Sequence, residues 1–262
     1  MNESRRPVVD SAVAAFNSEY GTGPGRALCV VIAALNEVGA VAGVVESLPP
    51  SAAGLDLDCI VVDDGSSDGT ADAAGRAGAM VCRFERNLGQ GWALRAGYRL
   101  AAARGATVVA TMDADGQFDA GELDRIVGPV AEGTADMVVG SRRLGRSEVG
   151  DRVRATGVVA FARLISLLTG HRVTDPSSGY RAFLTEVPQR VPLRQAQYQA
   201  SELLIGAISL GFRVAEVPMT VRARVAGRSK KGANLLYGWR FTGVVVTTWW
   251  RMRRVARSQP GR

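Results

Sequence analysis

Short apolar runs alternate with longer amphipathic stretches along the chain as far as Gly140. Runs rich in β-branched residues suit buried strands, and apolar positions three or four residues apart suit helices. We predict strands at 28–35, 57–62, 79–84, 107–111 and 136–140. Helices are predicted at 10–20, after Glu37 up to 48, after a cap at Asp68 up to 77, at 92–104 and at 122–132. Strand–helix alternation with short connections favours a parallel sheet covered by helices on both faces.

The alternation ends after residue 142. The segment 143–151 is charged and contains glycine, which favours a mobile loop. Beyond it the pattern predicts helices at 153–169 and 201–210, a turn-rich polar segment at 175–181 and a strand at 212–217.

A chain of 262 residues is long enough for one α/β domain with a full core. We assign 26–232 to that domain, 1–25 to an N-terminal extension and 233–262 to a basic amphipathic tail. No stretch reaches the length of a membrane span, and the polar leader lacks the apolar core of a secretory signal.

The net charge of +7 is concentrated at the C-terminal end. From Val217 to Arg262 the chain has eleven Lys or Arg and no Asp or Glu, so the preceding residues carry 7 − 11 = −4. Such a basic segment suits an anionic membrane surface, a phosphate-bearing substrate or nucleic acid.

The cysteines and the histidine point away from disulfide, zinc or histidine chemistry. Cys29, Cys59 and Cys82 fall in the first three main strands, without paired spacing, and are predicted to be buried, reduced thiols in a cytosolic protein. The single histidine, His171, follows a predicted helix, and we interpret it as a surface or cap residue rather than a general base.

Two carboxylates follow the fourth predicted strand at the end of a buried run. Asp113 and Asp115 are one residue apart, and Gln117 follows them. Like charges that close together are costly to bury unless a cation neutralises them. Mg²⁺ or Mn²⁺ suits such oxygen ligands and also binds diphosphates. A plain Asp–Gly turn is the alternative, whereas a calcium-binding EF-hand loop fails at its sixth and twelfth positions.

Polar side chains follow every predicted strand of the first half, at its carboxyl end. They are Asn36 and Glu37, Asp63 and Asp64, Asn87, Asp113 and Asp115, and Ser141 and Arg142. Parallel α/β sheets bind ligands at this edge, so we expect one functional cleft there. The glycines of the segment 89–97 do not match the dinucleotide-binding pattern, and no Walker motif is present.

Two basic segments near the C-terminus have alternative interpretations. The segment 222–230 clusters arginines, Ser229 and Lys230 around a glycine, which suits phosphate binding or a solvated loop. The segment 235–250 carries three tryptophans beside arginines. It suits a membrane interface, a helix packed on the domain core, or a dimer contact.

These motifs, in this order, resemble family 2 glycosyltransferases of GT-A fold, and most closely the polyprenyl-phosphate sugar synthases of the dolichol-phosphate mannosyltransferase kind. The matching pieces are VVIAALNE, IVVDDGSSDGT, RNLGQGWALRAG, MDADGQFD, VVGSR, VTDPSSGYRAF and EVPMTVRARVAGRSK. One departure is Ala33, where a proline is usual. The resemblance implies a mostly parallel, Rossmann-like nucleotide-binding sheet flanked by helices in a single α/β domain.

The resemblance also implies roles for individual residues. The nucleotide sugar would be bound by Ala34, Asn36, Glu37, Asp63, Asp64, Asn87 and Ala114. A divalent metal, Mg²⁺ or Mn²⁺, would be bound by Asp113, Asp115 and Gln117, and Asp113, Asp115 and Arg224 would be catalytic. The acceptor and its phosphate would be bound by Ser141, Arg142, Asp175, Ser178, Ser229 and Lys230.

The activity implied is inverting, metal-dependent transfer of a hexose from GDP-mannose or UDP-glucose to a polyprenyl phosphate. An ionised phosphate oxygen needs no general base, whereas a hydroxyl acceptor would need a carboxylate, for which Asp175 and Glu202 are the candidates. The alternatives are a hydroxyl-acceptor transferase and a non-catalytic nucleotide-sugar-binding subunit. We expect a cytoplasmic protein at the inner face of the membrane, with a membrane surface or a membrane protein as a partner. A homo-oligomer is a further possible state, and no nucleic acid is expected as a partner.

Overall fold

The computed structural model describes residues 5–148, 152–223 and 235–258. Its strands are β1 Leu28–Ala34, β2 Ser51–Ala52, β3 Leu55–Asp63, β4 Met80–Arg83, β5 Val108–Asp113, β6 Met137–Ser147, β7 Arg181–Leu184 and β8 Val214–Val221. Its helices are α1 Arg6–Tyr20, α2 Val41–Glu46, α3 Thr70–Arg76, α4 Gln90–Ala103, α5 Leu123–Ala131, α6 Arg152–Thr169, α7 Glu186–Arg190, α8 Gln199–Ser209 and α9 Leu235–Ser258.

The described strands form one mixed sheet in the order β2-β3-β1-β5-β7-β6-β8, with β4 also paired to β3. The strands β4, β3, β1 and β5 run parallel, as the strand–helix alternation predicts. The register pairs Ala34 with Asp63 and Ala33 with Asp113. The carboxyl ends of β1, β3 and β5 therefore meet at one edge.

Each face of the sheet carries its own apolar core. Val31 and Val109 point toward α1, α4 and α8, whereas Val30 and Ile32 point toward α2, α3 and α5. Helix α4 approaches β1 closely at Gly97. A Cβ atom added there would lie only 2.3 Å from Val31 Cγ1, so only glycine fits this contact. This contact fixes the helix whose first turn borders the carboxyl edge of the sheet.

The second half of the sheet differs from the sequence prediction. The segment 143–151 was predicted to be a mobile loop, but Arg143–Ser147 continue strand β6 along β8. The turn-rich interpretation of 175–181 was wrong at its last residue, because Arg181 begins β7. Strand β7 runs antiparallel to both β5 and β6, so the sheet is not parallel throughout.

Helix α1 begins at Arg6, four residues before its predicted start, and packs on the domain. Its residues Val9, Val13 and Phe16 are buried in the core shared with α4 and β4. The 1–25 segment therefore contributes apolar side chains to the main core.

Helix α9 packs on α8 and α6 through one face and leaves the other face exposed. Phe241, Val245 and Met252 are buried, whereas Trp239 is 80% exposed and Trp250 is 55% exposed. The sequence allowed three interpretations of the tail. The structure shows one of them, because the inner face of α9 packs on the domain core. None of the described helices combines the length and hydropathy needed to cross a membrane.

Three local predictions were refined by the structure. Asp68 precedes the α3 N-cap, which is Gly69, and accepts from the Thr70 backbone N–H at 3.1 Å. The cysteines are unpaired as predicted. Cys29 and Cys82 are buried, whereas Cys59 as a whole residue is half-buried. Burial raises the pKa of the Cys59 and Cys82 thiols to about 12, so both are protonated at neutral pH. His171 is half-buried just beyond α6.

Candidate active site

The acidic pair lies at the carboxyl end of β5, in the middle of the sheet. Asp113 is the last residue of β5, and its side chain packs against Gly179. A Cβ atom added at Gly179 would lie 2.6 Å from Asp113 Oδ1. Asp115 is only 5% exposed, and its Oδ1 accepts a hydrogen bond from the Gln117 backbone N–H at 3.1 Å. A side chain at position 179 would therefore displace the first carboxylate of the pair.

A cavity of about 480 Å³ opens beside this pair. The predicted site residues that line it are Ala34, Glu37, Asp64, Asn87, Asp113, Ala114 and Asp115. They come from the carboxyl ends of β1, β3 and β5 and from the loop after β4. The parallel register thus brings the residues that were predicted to bind the nucleotide and those predicted to bind the metal into one cavity.

Asp64 connects two loops at the edge of the cavity. Its carboxylate accepts hydrogen bonds from the backbone N–H groups of Leu88 at 2.7 Å and Gly89 at 2.8 Å. Burial raises the pKa of Asp64, and these two donors partly offset that effect. The loop that leads into α4 is therefore held beside β3.

Asn36 and Asp63 do not line the cavity but shape its rim. Asn36 adopts φ of 51°, and its Oδ1 accepts from the Ser67 backbone N–H at 2.9 Å. Asp63 is fully buried, and its Oδ1 accepts from the Ser66 backbone N–H at 3.1 Å. Arg83 lies 3.6 Å from the other Asp63 oxygen. Both predicted nucleotide residues thus brace the turn that carries Asp64.

Arg142 and Asp175 form a two-pronged ion pair. Arg142 Nε donates to Asp175 Oδ2 at 2.6 Å, and Nη2 donates to Oδ1 at 3.1 Å. Asp175 is fully buried, and its own N–H donates to Glu216 at 3.0 Å. Burial alone would lower the pKa of Arg142, but the hydrogen bond and charge of Asp175, with a smaller contribution from Asp113, raise it. The guanidinium is thus fixed as a cation within the electrostatic reach of Asp113.

The remaining predicted residues lie outside the cavity lining or outside the described structure. Gln117 donates from Nε2 to the Arg222 carbonyl at 3.1 Å. Ser141 is buried, and its hydroxyl lies 2.6 Å from Thr174 Oγ1. Ser178 is buried, and its Oγ accepts from the Tyr180 N–H at 3.3 Å. The predicted residues outside the described ranges are Arg224, Ser229 and Lys230.

Comparison with known proteins identifies the family. The family model described as glycosyl transferase family 2 matches residues 29–191, which is more than half of the chain. The chain belongs to glycosyltransferase family 2.

Two named relatives align with most of this glycosyltransferase. It is 30% identical to an undecaprenyl-phosphate mannosyltransferase of Micrococcus luteus, over 73% of this chain and 85% of the relative. It is 33% identical to a dolichyl-phosphate hexose transferase of Haloferax volcanii, over 78% and 86%. Both similarities support the resemblance to polyprenyl-phosphate sugar synthases that the motifs indicate.

Solved structures carry the same fold. Glucosyl-3-phosphoglycerate synthase from Mycobacterium tuberculosis, in complex with Mn²⁺, uridine diphosphate and phosphoglyceric acid, is 26% identical with a TM-score of 0.66. The match covers 92% of this chain and 81% of that protein. The fold is therefore GT-A, and the protein is a glycosyltransferase enzyme, as predicted.

The acidic pair of this glycosyltransferase suits a divalent cation. The described residues hold no cluster of three or more acidic, histidine or cysteine ligands. Mg²⁺ in nucleotide sites is usually held by one or two carboxylates, substrate phosphates and water, and Mn²⁺ has the same preference for oxygen ligands. Asp113 and Asp115 supply that donor set at the cavity wall, so the residues present fit the expected metal.

Several cavity residues were not predicted from the sequence. They are Leu94, Tyr98, Thr111, Arg181, Tyr198, Gln199, Ser201 and Phe241. Arg181 lies in a motif that the resemblance quotes, but a single sequence does not reveal that this cation is buried. It is 2% exposed and donates to the carbonyls of Ser178 at 2.7 Å, Pro176 at 2.8 Å and Ala200. Burial lowers the pKa of Arg181 to about 10, so it stays charged at neutral pH.

The two candidate general bases are committed to other contacts. Asp175 is occupied by Arg142. Glu202 is fully buried and accepts from the backbone N–H groups of Arg194 at 3.0 Å and Gln195 at 2.9 Å. It also pairs with Arg251 of α9. Neither carboxylate lines the cavity.

Proposed function

We propose that this glycosyltransferase moves a hexose from a nucleotide sugar to a polyprenyl phosphate, with inversion at the anomeric carbon. The two relatives that act on undecaprenyl phosphate and dolichyl phosphate, by their names, support this acceptor class. The donor base and sugar stay open between GDP-mannose and UDP-glucose. The Mn²⁺ and uridine diphosphate bound by the solved relative support a metal-dependent nucleotide-sugar site.

The Asp175–Arg142 ion pair is the main structural support for this proposal. Because Asp175 is fully buried and holds Arg142 through two contacts, it is unavailable as a base for a hydroxyl acceptor. The same contacts orient a partly exposed guanidinium within electrostatic reach of Asp113. A fixed guanidinium suits a phosphate, and an ionised phosphate oxygen attacks without a base.

The reaction proposed is a single displacement. The acceptor phosphate oxygen forms a bond to the anomeric carbon, and the bond from that carbon to the donor diphosphate breaks. Glu37, Asp64 and Asn87 line the cavity and are assigned to the nucleotide. Arg142 lies outside the described lining, and its partly exposed guanidinium is assigned to the acceptor phosphate. Mg²⁺ or Mn²⁺ bound at Asp113 and Asp115, with Gln117 as the proposed third ligand, would offset the charge that develops on the diphosphate.

Further phosphate contacts are proposed from the resemblance. Arg224, Ser229 and Lys230 are assigned to the donor and acceptor phosphates, and they lie outside the described residues. Ser141 and Ser178 are buried, and they are proposed to shape the acceptor side. Asn36 and Asp63 are proposed to act through the turn that carries Asp64.

A peripheral position at the cytoplasmic face of a membrane follows from a lipid acceptor. The exposed face of α9 carries Trp239, Val246 and Trp250, and Arg254 lies 3.5 Å from the Trp250 ring centre. Tryptophan and arginine together suit the headgroup region of an anionic bilayer. We propose this face as the membrane contact, with a membrane protein or a second copy as the alternative partner.

Transfer of labelled sugar tests the proposal. The purified protein is incubated with Mn²⁺, labelled GDP-mannose or UDP-glucose, and either undecaprenyl phosphate or 3-phosphoglycerate. We expect label in the organic extract only with the lipid phosphate and the metal. Label in 3-phosphoglycerate alone would refute the lipid acceptor and favour the activity named for the solved relative, whose acceptor offers a hydroxyl.

A further inference from the structure

The cavity has two ends of different chemistry. All acidic residues of its described lining, Glu37, Asp64, Asp113 and Asp115, belong to what we call the outer end. The inner end lies along β5 toward Thr111, which precedes Asp113 by two residues and so projects from the same face of the strand. We define the inner end by the lining residues connected to Thr111: Arg181 pairs with Thr111 in the sheet and donates to the Ala200 carbonyl. Gln199 and Ser201 flank Ala200, and Tyr98 contacts Gln199. The inner end thus offers hydroxyl and amide groups and one arginine.

Most of these inner polar groups already donate to backbone carbonyls. Thr111 Oγ1 donates to the Gly179 carbonyl at 2.6 Å, and Ser201 Oγ donates to the Pro176 carbonyl at 3.0 Å. Each of the three Arg181 nitrogens also donates to a backbone carbonyl. These groups are fixed in place by the fold, and their backbone bonds explain why they are buried.

Gln199 is different, because within the described residues its amide group contacts only the Tyr98 hydroxyl, and that contact is long. It is 3% exposed, and its amide atoms lie 3.4 and 3.5 Å from Tyr98 Oη. Those distances exceed the usual hydrogen-bond length. A carboxamide has two donor hydrogens and two acceptor lone pairs, and leaving such a group buried without partners is costly. The Gln199 side chain therefore keeps hydrogen-bonding capacity at the wall of the cavity.

The surroundings of Gln199 suit a neutral polyhydroxyl ligand. No carboxylate of the described lining lies at the inner end, and Arg181 is held by backbone carbonyls. Tyr198, in a left-handed conformation with φ of 61°, meets Phe241 edge to face at 5.3 Å, and both rings line the cavity. Amide groups beside aromatic rings bind the hydroxyl and C–H groups of a sugar ring.

We propose that Gln199, supported by Tyr98, hydrogen-bonds a hydroxyl of the transferred hexose and so sets which sugar the enzyme accepts. The inference rests on the proposed function, because it assigns the inner end to the sugar of the nucleotide-sugar donor. It adds a specificity-determining residue, whereas the outer end holds the nucleotide and diphosphate.

Binding without acceptor separates a sugar contact from a structural role. The probes are UDP and UDP-glucose, and GDP and GDP-mannose, each with Mn²⁺, titrated into the wild-type protein and the Gln199→Leu variant. Loss of a buried hydrogen bond predicts affinity for the preferred nucleotide sugar about tenfold weaker, and affinity for the matching nucleoside diphosphate within about twofold. The control is Gln189→Leu, an exposed glutamine of α7 outside the cavity, which should change neither affinity.

A second measurement begins with the wild-type protein and then compares the variant with it. Deoxy forms of the preferred nucleotide sugar, each lacking one hydroxyl, should bind the wild type more weakly at one position in particular. Gln199→Leu should no longer discriminate at that position, because the partner of that hydroxyl has been removed. Equal loss of affinity for diphosphate and nucleotide sugar, or unchanged discrimination in the variant, would overturn the inference. Sugar-selective binding without labelled lipid would refute only the acceptor of the proposed function.

Discussion

Asp115 is the buried member of the proposed metal-binding pair. Replacing it with asparagine keeps the shape and one acceptor oxygen but removes the negative charge. We expect Asp115→Asn to lower kcat/KM at least about 100-fold, because a developing diphosphate charge would lose its counter-ion. Initial rates across a Mn²⁺ titration measure this change.

The control for this prediction is Asp72→Asn. Asp72 is an exposed aspartate in the first turn of α3 and lies outside the cavity lining. It should retain near wild-type rates and metal dependence. Full turnover by Asp115→Asn at the Mn²⁺ concentrations that suffice for the wild type would contradict metal binding at Asp115.

Arg142 is predicted to act on the acceptor rather than on the donor. Lysine cannot reproduce the two-pronged contact with Asp175 and carries a mobile point charge. We expect Arg142→Lys to reduce kcat/KM for polyprenyl phosphate by about 10- to 100-fold and to leave nucleotide-sugar affinity within about twofold. Steady-state kinetics with varied lipid, beside donor titrations, separate the two effects.

Arg143→Lys is the comparison variant, since Arg143 is the exposed neighbour on the same strand. It should leave both parameters unchanged. An Arg142→Lys enzyme that loses donor affinity as strongly as acceptor turnover would contradict the assigned role.

At the residue scale, the sequence predicted the outer end of the cavity better than the inner end. Asp64 and Asp113 could be found because Asp113 ends an apolar strand, Asp64 directly follows one, and strand ends meet at one edge. The pairing of Arg142 with Asp175 spans 33 positions and has no local signal. Gln199 is the first residue of α8, and the apolar pattern of that helix can be recognised in the sequence. The direction of the Gln199 side chain, however, depends on its packing against Tyr98.

At the element scale, the second half of strand β6 and the whole of strand β7 escaped prediction for separate reasons. The second half of β6 is exposed and polar, so it lacks the apolar alternation that marks a strand, and its pairing with β8 supplies the structure. Strand β7 has four residues and follows a polar turn. Its position depends on partners more than 40 positions away in β5 and β6. Local patterns carry little information about such pairings.

Helix α9 is expected to bind anionic vesicles through its exposed face. In the double variant Trp239→Ser/Trp250→Ser, binding to vesicles that contain phosphatidylglycerol should weaken about tenfold, because interfacial binding scales with buried apolar area. Vesicle co-sedimentation measures the change. Leu144→Ser, an exposed apolar side chain on β6, is the control.

The charge dependence of binding separates the possible partners of this face. Vesicles without phosphatidylglycerol should bind the wild type less, since the arginines beside the tryptophans need an anionic surface. Concentration-dependent dimerisation that the double variant abolishes, with no vesicle binding, would instead assign the face to a second copy.

The Arg251–Glu202 ion pair should connect α9 to the stability of the domain. Glu202 is fully buried, and the Arg251 side chain is 20% exposed, so removing the cation leaves a buried carboxylate short of a partner. We expect Arg251→Met to lower the free energy of unfolding by about 2–3 kcal/mol. Urea denaturation measures this loss.

The double variant Arg251→Met/Glu202→Gln tests the cause of that loss. Removing the buried charge as well should recover much of the stability. The exposed neighbour Arg253→Met serves as the control and should change stability by less than about 0.5 kcal/mol. An additive loss in the double variant would indicate that packing, rather than charge, determines the effect.

At the scale of the whole molecule, a donor and its metal should stabilise the fold together. A ligand at one hundred times its Kd adds about 2.7 kcal/mol to the free energy of unfolding. For a chain of this size that predicts a rise in Tm of about 5–10 °C. A panel of GDP-mannose, UDP-glucose and ATP, each with and without Mn²⁺, should show the rise for one nucleotide sugar only in the presence of the metal.

Asp115→Asn should abolish the metal-dependent part of that rise. An equal rise with ATP would indicate a general phosphate site rather than a nucleotide-sugar site. A rise without Mn²⁺ that matches the rise with it would contradict metal-dependent donor binding.

The fold class was predictable at this scale because strand–helix alternation restricts the topology, whereas the strand order of the second half was not. Placing β7 between β5 and β6 requires Thr111 to pair with Arg181, a contact set by the whole chain. The same pairing brings Gly179 against Asp113, so the late half of the sequence completes a site that the early half begins.

The contribution of α9 to the cavity has a consequence for protein synthesis. Phe241 is part of the cavity wall, yet it leaves the ribosome more than a hundred positions after Asp115. A nascent chain can form the acidic edge early, but the cavity wall stays incomplete until α9 has been synthesised. A polypeptide truncated before α9 would therefore lack part of the proposed donor pocket.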